Sequence, residues 1–515
     1  MKKLFFLSIL LCLFLSMQAQ TSVNIAAGGL SAALSGQTGI TNLAVTGTMD
    51  ARDFLAIQKL YSTLVTLDLS GITKIEAYSG NGGSDIYNTV TTYPADQIPY
   101  KACYGAFSMS ALTTVVLPTG GVIDSIGAQA FYSCSKLTSI NIPNGVSVIR
   151  DNALSTTGLT SIILPNSVTT LGIAVFSASP LTQVTLSNQL TSIPQGTFQS
   201  TSLSSITIPE SVTSIGISAF RNVYTLKQVI LPQGLLLLAG NLTFANTAIT
   251  SITIPANTQI IGGTLGNSTF QNTSITSFVI PSNVTAIGNT TFQNTPLTSL
   301  TFPSNSLVTS LGNSCLYNTK LTSLVIPEKV TTIQTTALQG ITTLQTLELP
   351  ASLTTIGASA FSGCTALQSI KVHATFPVNL SSVTGVFTGI DKTNCILYVP
   401  AGTKADYQAA DGWNAFTNIV EFGTTTGLEN VHKNNASLTI AGNPVLGSEA
   451  KLTFSEAGEG AIVRVSDLSG KTLLKQAVAT GSTTATLSVA NLYKGVYLVN
   501  YTDNTGKRGM VKMVK

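Results

Sequence analysis

Along the middle of the chain, apolar residues recur in the spacing Leu-x-x-Ile-x-Ile and are closed by a proline. LTSINIP (Leu137 to Pro143), LSSITIP (Leu203 to Pro209), ITSITIP (Ile249 to Pro255), ITSFVIP (Ile275 to Pro281) and LTSLVIP (Leu321 to Pro327) share it. A shorter apolar pair follows each, such as Val212 with Ile215, and then one large apolar anchor. The anchors are Phe107, Phe131, Leu154, Phe176, Phe198, Phe220, Phe244, Phe270, Phe292, Leu316, Leu338 and Phe361, at spacings of 22 to 26 residues. A repeat of this length holds an extended segment, a turn, a second short extended segment and a helical turn, which together make one coil of a solenoid. The proline ends the strand by removing a ladder donor. Gly127, Gly172, Gly216, Gly262, Gly288, Gly312 and Gly357 follow the second apolar pair, where a sharp turn is expected. The pattern predicts about twelve coils over residues 100–376, a ladder of roughly 55 to 60 Å at one strand spacing per coil.

No coil buries its apolar side alone, so the leucine and isoleucines face inward and the x positions stack into solvent-facing columns. Two columns are nearly all Thr, Ser and Gln, as in Thr138 with Ser139, Thr160 with Ser161, Ser204 with Ser205, Thr250 with Ser251 and Thr298 with Ser299. The third runs Val116, Asn141, Ile163, Thr185, Thr207, Ile230, Thr253, Val279, Thr301, Val325, Glu348, Lys371. Short hydroxyls lose little rotamer entropy on binding, and the apolar members are readily desolvated. Thr, Val and Ile also fill exposed strand positions because they favour extended backbone. Solenoids commonly bind through their long concave face, which makes Asn141, Ile163, Thr185, Thr207, Ile230, Thr253, Val279, Thr301 and Val325 the candidate ligand surface.

These repeats resemble the BspA-like, or treponema-type, class of leucine-rich repeats, whose pattern is a Leu-x-x-Ile-x-Leu-Pro strand, a Ser-Val-x-x-Ile-Gly strand and an Ala-Phe turn. The likeness covers about Tyr100 to Val372. Ser187 stands where the proline is expected, His373 takes that place in the last coil, and Leu235 to Leu238 is an unusually apolar second strand. The resemblance implies a mainly β, right-handed leucine-rich-repeat solenoid, and a protein that attaches to host proteins or to cells.

Solenoid ends need atypical capping units. Over residues 21–99 the pattern predicts a strand at Leu43 to Gly47, a helix from the N-cap Asp50 through Leu60, a strand at Leu64 to Leu69 and a surface insertion at 78–98. The stretches VTGTMDARDF and LVTLDLS are similar to the N-terminal cap of Bacteroidetes BspA-like proteins. Over residues 377–422, Cys395 to Val399 reads as a strand and Thr403 as a capping-box-like start of a helix reaching Ala410, with Trp413 expected to cover the last coil. A linker at 423–434 leads to residues 435–515, where alternating stretches predict a small antiparallel β-sandwich of about seven strands. Gly442-Asn443-Pro444-Val445, Asp467 to Lys471, Gly495 to Val499 and Met510 to Lys515 resemble the C-terminal sorting domain of type IX secretion cargo. That resemblance implies engagement of the type IX machinery, with Gly495, Tyr497, Lys507, Lys512 and Lys515 as its sorting signal, and surface attachment or release.

Lys2 and Lys3, the apolar run Leu4 to Leu15 and the exit Ser16 to Gln20 read as a signal peptide over residues 1–20. That run is too short to span a bilayer, so no integral span is expected in the mature chain. Only 9% of residues are charged while the mean hydropathy is +0.36, which excludes charge-rich disorder, coiled coil and polybasic nucleic-acid binders. Residues 429–515 carry ten Lys or Arg against six acids, so the modest positive charge belongs to the tail. Nucleic acid is not an expected partner.

Catalytic chemistry has little to work with. The histidines are His373 and His432, and from Asn152 to Pro327 the acid is Glu210. No Cys-x-x-Cys, phosphate loop or nucleophile elbow is present, and no metal or cofactor is expected. Cys134 and Cys364 share one repeat position, ten coils or roughly 50 Å apart, too far to bridge. Cys364 with Cys395 is the one pair worth testing. These residues therefore predict no enzyme, and the two resemblances imply a secreted or cell-surface protein of a Bacteroidetes-like bacterium that binds an extracellular protein or another cell. Capture of a glycan ligand, or self-association in the cell envelope, stands beside that reading.

Overall fold

The structure, a computed structural model, describes residues 20–515 except 86–88, 105–108, 239, 256–257, 261–263, 424–437, 442–444, 446, 455, 468–470 and 505–507. The signal-peptide segment, Phe107, Gly262, His432, Lys507 and most of the linker lie outside the described residues. The chain forms two compact units, 1–422 and 423–515.

The first unit is a β-solenoid. Most coils contribute a long strand, such as Ser161–Ile163 or Ser205–Thr207, and a two-residue strand, such as Thr170–Leu171 or Ser214–Ile215, although no strand forms over residues 251–255. Where they pair, both kinds do so in parallel with their counterparts in neighbouring coils, in register at equivalent repeat positions, and the long-strand ladder is interrupted at several coils. The third side of the coil is a turn that makes a ladder of its own. Around Phe131, the N–H groups of Gln129, Phe131 and Ser133 donate to the carbonyls of Asp151, Ala153 and Ser155 in the next coil at 2.8 to 3.0 Å. Gln129 and Ser133 take φ of 56° and 59°, and the same left-handed pair recurs at Ser218 and Asn222, Ser268 and Asn272, and Ser314 and Asn318. Such residues cost about 1 kcal/mol or more each outside glycine. Here they turn alternate N–H groups along the solenoid axis, so that the buried backbone of every turn is bonded from coil to coil.

The anchors stack into one spine. Phe176, Phe198, Phe220, Phe244, Phe270 and Phe292 succeed one another at centroid separations of 5.5 to 5.8 Å with planes within 15°. Equivalent rings thus advance further per coil than hydrogen-bonded strands, which lie about 4.8 Å apart. The face of the long strands is the one expected to be concave. The spine departs from the sequence expectation at both ends. Cys103 fills the anchor position one coil before Phe131: Lys101 has φ of 53°, and the N–H groups of Lys101 and Cys103 donate to Ala128 and Ala130, as Gln129 and Phe131 do to Asp151 and Ala153; the expected anchor Phe107 lies outside the described residues. Tyr104 stacks on Tyr132 at 5.4 Å in the same register. At the other end, Phe361 stacks on Phe387 at 5.7 Å and Gly363 donates to Thr388, so one more coil follows within the segment expected to be cap.

The glycines after the second strand are not there to turn. Gly288 and Gly312 lack a left-handed φ; a Cβ on Gly288 would lie 2.7 Å from the Leu265 carbonyl oxygen and 2.8 Å from the Gly266 carbonyl carbon. At Gly288 and Gly312 successive backbones approach so closely that a Cβ would overlap the preceding coil, whereas Arg150 and Gln334 take the equivalent place in their own coils.

At the N-terminal end, strands Thr21–Ile25, Asn42–Met49 and Thr66–Ile75 extend the long-strand sheet in parallel. Asp50 caps the helix Ala51–Gln58 in a reciprocal box with Asp53, whose buried carboxylate also accepts from Gly28 and Leu30. The 78–98 segment is more than a surface insertion. It holds a short hairpin, Tyr78–Ser79 with Thr92–Tyr93, buries Ser84 and Asp85, and ends in Gln97–Ile98, the first rung of the short-strand ladder. Gln58 pins it by donating to the carbonyls of Ser84 and Lys101.

At the C-terminal end, strands Ile396–Pro400 and Ile419–Phe422 continue the long-strand sheet. Trp413 is buried, donates to the Val378 carbonyl at 2.9 Å and meets Phe387 and Tyr407 edge-on. The helix Lys404–Ala409 lacks the expected side-chain cap, because the Thr403 hydroxyl donates back to the Pro400 carbonyl. Cys364 and Cys395 do not bond: Cys103, Cys134, Cys315, Cys364 and Cys395 are all buried free thiols. Cys364 donates instead to the Leu338 carbonyl at 3.2 Å.

The second unit is antiparallel, with a three-stranded sheet of Leu438–Ala441, Glu449–Phe454 and Thr484–Ser488. A four-stranded sheet of Thr472–Ala477, Ile462–Ser466, Val496–Thr502 and Arg508–Val514 accompanies it. Strand Thr472–Ala477 escaped the sequence reading because it is an edge strand exposed along most of its length, without the alternation that marks its neighbours.

Candidate functional site

The concave face inherits its chemistry from strand alternation. In Ser161–Ile163, Ser277–Val279 and Ser323–Val325 the middle residue is buried and its two neighbours are exposed. All nine residues expected on the ligand surface, Asn141, Ile163, Thr185, Thr207, Ile230, Thr253, Val279, Thr301 and Val325, are exposed. Ile163 pairs with Thr185, Thr207 with Ile230, Val279 with Thr301, and Val325 with Glu348, so the third column is a physical ladder of side chains. Its apolar members stand well out of the protein: Ile163 is 71% exposed, Ile230 50%, Val279 66% and Val325 62%.

The columns differ in what they have left to offer. Hydroxyls of the first column donate back to the preceding coil, Thr182 to the Thr160 carbonyl and Thr298 to the Thr276 carbonyl, both at 3.0 Å. Their role is to bond coil to coil. Asn141 is similarly engaged, since its amide accepts from the Leu117 N–H at 2.7 Å and donates to the Leu117 carbonyl at 3.1 Å. The third column from Ile163 to Val325 is where apolar atoms face water.

Two clefts open beside that column. One lies between Ser139–Asn144 and Ser161–Pro165, and takes in Asn141 and Ile163. The other lies between Leu300–Ser306 and Ser323–Lys329, and takes in Thr301 and Val325. Each coincides with a lapse in the ladder, because Ser139–Ile140 and Ser161–Ile163, and likewise Ser299–Thr301 and Ser323–Val325, belong to different sheets.

Beyond Val325 the column becomes charged. Glu348 accepts from Lys371 at 3.0 Å and bonds His373 at 2.5 Å, while Phe422 lies 5.0 Å from the Lys371 ammonium and 5.3 Å from the His373 ring. Burial pushes the Glu348 carboxyl up, but its bonds to His373 and Lys371 outweigh this and hold it below the ordinary glutamate value. Among the described residues, no group of three or more His, Cys, Asp and Glu is placed to hold a metal ion.

In the tail, Tyr497 and Lys512 lie on the paired strands Val496–Thr502 and Arg508–Val514, Gly495 and Lys515 lie directly beside them, and Lys507 lies outside the described residues. Tyr497 sits opposite Met513, Gly495 exchanges both backbone bonds with Lys515 at 2.9 Å, and the Lys515 ammonium donates to the Val489 carbonyl. Lys512 is exposed opposite Leu498. Among the described residues, no helix is long and apolar enough to cross a membrane.

Comparison with known proteins places these units. The model of the BspA type leucine-rich repeat region matches in six copies over residues 100–227, 191–265 and 263–381. The secretion system C-terminal sorting domain matches residues 443–515. Among solved structures, a leucine-rich repeat protein from Bacteroides ovatus is 22% identical, with a TM-score of 0.43, over 60% of this chain and 86% of that one. A leucine-rich cell surface protein from Faecalibacterium prausnitzii is 24% identical, with a TM-score of 0.40, over 69% and 88%. The pneumococcal vaccine antigen PcpA is 18% identical, with a TM-score of 0.36, over 79% and 90%. No curated protein matches.

Proposed function

The chain belongs to the BspA type leucine-rich repeat family and carries a type IX sorting tail, and from that premise we propose that it is an adhesin-like surface protein binding host or matrix proteins, or other cells, through its concave face. The observation that carries this reading is the third column, where Ile163, Ile230, Val279 and Val325 hold apolar surface in water on a face with almost no charge. An isolated exposed apolar residue means little, but four of them recurring along one face, interleaved with Thr185, Thr207, Thr253 and Thr301, make the kind of surface that marks an interaction site. A binding role also fits a face on which the Thr182 and Thr298 hydroxyls are bonded within the fold, in a stretch from Asn152 to Pro327 whose one acid is Glu210. The tail directs the chain to the secretion machinery, and tethering outside the outer membrane, or release from it, completes the reading.

Saturable binding of the mature secreted protein to a matrix-coated or cell surface tests it. Thr207→Asp, Ile230→Asp and Thr253→Asp together are expected to abolish that binding while leaving the circular-dichroism spectrum unchanged; binding that survives them sinks the proposed face. A glycan array reports the competing carbohydrate reading.

A further inference from the structure

We infer that the cleft between strands Ser299–Thr301 and Ser323–Val325 is the anchoring subsite of this face, and that it takes an extended protein segment by one apolar side chain flanked by a basic and an acidic residue. The inference rests on the binding role proposed above. Three features of the cleft carry it.

The first is the lapse in backbone pairing. Ser277–Val279 bonds Ser299–Thr301 and Ser323–Val325 bonds Thr346–Leu349, while the long-strand ladder lapses here and at other points, as between Gln183–Thr185 and Ser205–Thr207. Between Ser299–Thr301 and Ser323–Val325 the ladder stops, and two strand edges face one another across a cavity of about 490 Å³. Strand edges offer main-chain donors and acceptors, which an extended peptide satisfies and a neutral sugar matches poorly. The second feature is the lining. Phe302, Pro303, Val325 and Pro327 make an apolar wall, with Val325 projecting most.

The third is charge. The cleft at Asn141 and Ile163 is lined by uncharged residues. At the one beside Val325, Glu328 and Lys329 stand exposed at the mouth, and no ion pair among the described residues involves either. Adjacent charges of opposite sign select a segment whose own charges run in the complementary order, since the reverse order puts like charges together. No exposed aromatic residue lies on the third column to stack against a sugar ring.

The test uses the full mature chain and two synthetic peptides with a Gly/Ser background and a central Leu. One carries Lys before the Leu and Glu after it; the other has the order reversed. Fluorescence polarisation is expected to show one order bound about tenfold more tightly than the other. Glu328→Lys combined with Lys329→Glu, which keeps net charge and changes only exposed side chains, is expected to invert that preference. Val325→Asp is expected to weaken the preferred peptide by tenfold or more. Equal affinity for the two orders, a preference unchanged by the swap, or a neutral glycan that displaces the peptide would each overturn the subsite. Cell-surface binding lost in the Thr207, Ile230 and Thr253 variant, with no charge-order effect on peptides, removes the cleft and leaves the face. Cell-surface binding indifferent to both sets of changes removes the face as well.

Discussion

Asn246 donates its side-chain amide N–H to the side-chain oxygen Oδ1 of Asn222 at 2.7 Å, across two successive coils. Asn272 donates in turn to Asn246 at 2.7 Å, Asn294 to Asn272 and Asn318 to Asn294 at 3.1 Å, so an amide ladder runs along the turn side. Every member sits at a left-handed residue, φ being 59° at Asn246 and 55° at Asn272. Asparagine suits the position twice over, because it tolerates that conformation and its amide both donates and accepts.

Those two contributions separate by substitution. Asn246→Gly keeps the backbone relaxed and loses the ladder bonds, and is expected to cost about 1 kcal/mol. Asn246→Ala loses the same bonds and adds roughly 1 to 2 kcal/mol of left-handed strain. Hydrogen exchange of the Phe244 and Phe270 turns measures both; equal effects from Gly and Ala would show that strain is not what asparagine relieves.

Gly288→Ala places a methyl group against backbone of the preceding coil that has nowhere to move, since Leu265, Gly266 and Asn267 all lie within 2.9 Å of it. Overpacking of this kind costs about 1 to 3 kcal/mol. Gly234→Ala is the control, because its Cβ meets only the Glu210 carbonyl oxygen at 3.6 Å. A urea titration should show the first variant clearly destabilised and the second near wild type.

What the sequence disclosed and what it hid divide along physical lines. The spine was legible because Phe131, Phe176 and their counterparts are large, apolar and periodic; Cys103 was not, because a small thiol and the nearby, more conspicuous Phe107 pointed elsewhere. The outward columns followed from strand alternation, and Ile163 and Val325 are exposed where alternation put them. That the Thr182 and Thr298 hydroxyls bond the preceding coil was hidden, since it depends on which rotamer meets a carbonyl one coil away. The clefts were hidden for a similar reason. A lapse in pairing between Ser299–Thr301 and Ser323–Val325 leaves the repeat pattern itself unaltered. Gly288 was legible as a glycine but not as a close approach, because turn and contact select the same residue.

Thiol reactivity should report the integrity of the core. Burial pushes Cys103, Cys315 and Cys364 up to about 12 and Cys395 up to about 11, so thiolate is scarce at neutral pH and no reagent has access to it. With a disulfide reagent at pH 8, the folded mature chain is expected to react over hours, and five thiols to titrate at once in guanidinium. Rapid reaction of the native protein would mean that the coils open readily.

The Glu348 cluster predicts a pH dependence whose sign is set by the lowered carboxyl. A carboxyl held below its ordinary value of 4.5 by Lys371 and His373 favours the folded state whenever it is ionised. That contribution is fully present above the unfolded value and is lost as pH falls through the lower folded one. Acidification from about pH 5 downward should therefore loosen strands Thr346–Leu349 and Ser369–Val372, and with them the seating of Phe422, before the middle coils respond. Glu348→Gln keeps the shape and removes the titration. Hydrogen exchange at the Ser369–Val372 strand should then change less between pH 5 and pH 3 in the variant than in wild type, and an identical acid response in the two proteins would exclude Glu348 as its origin.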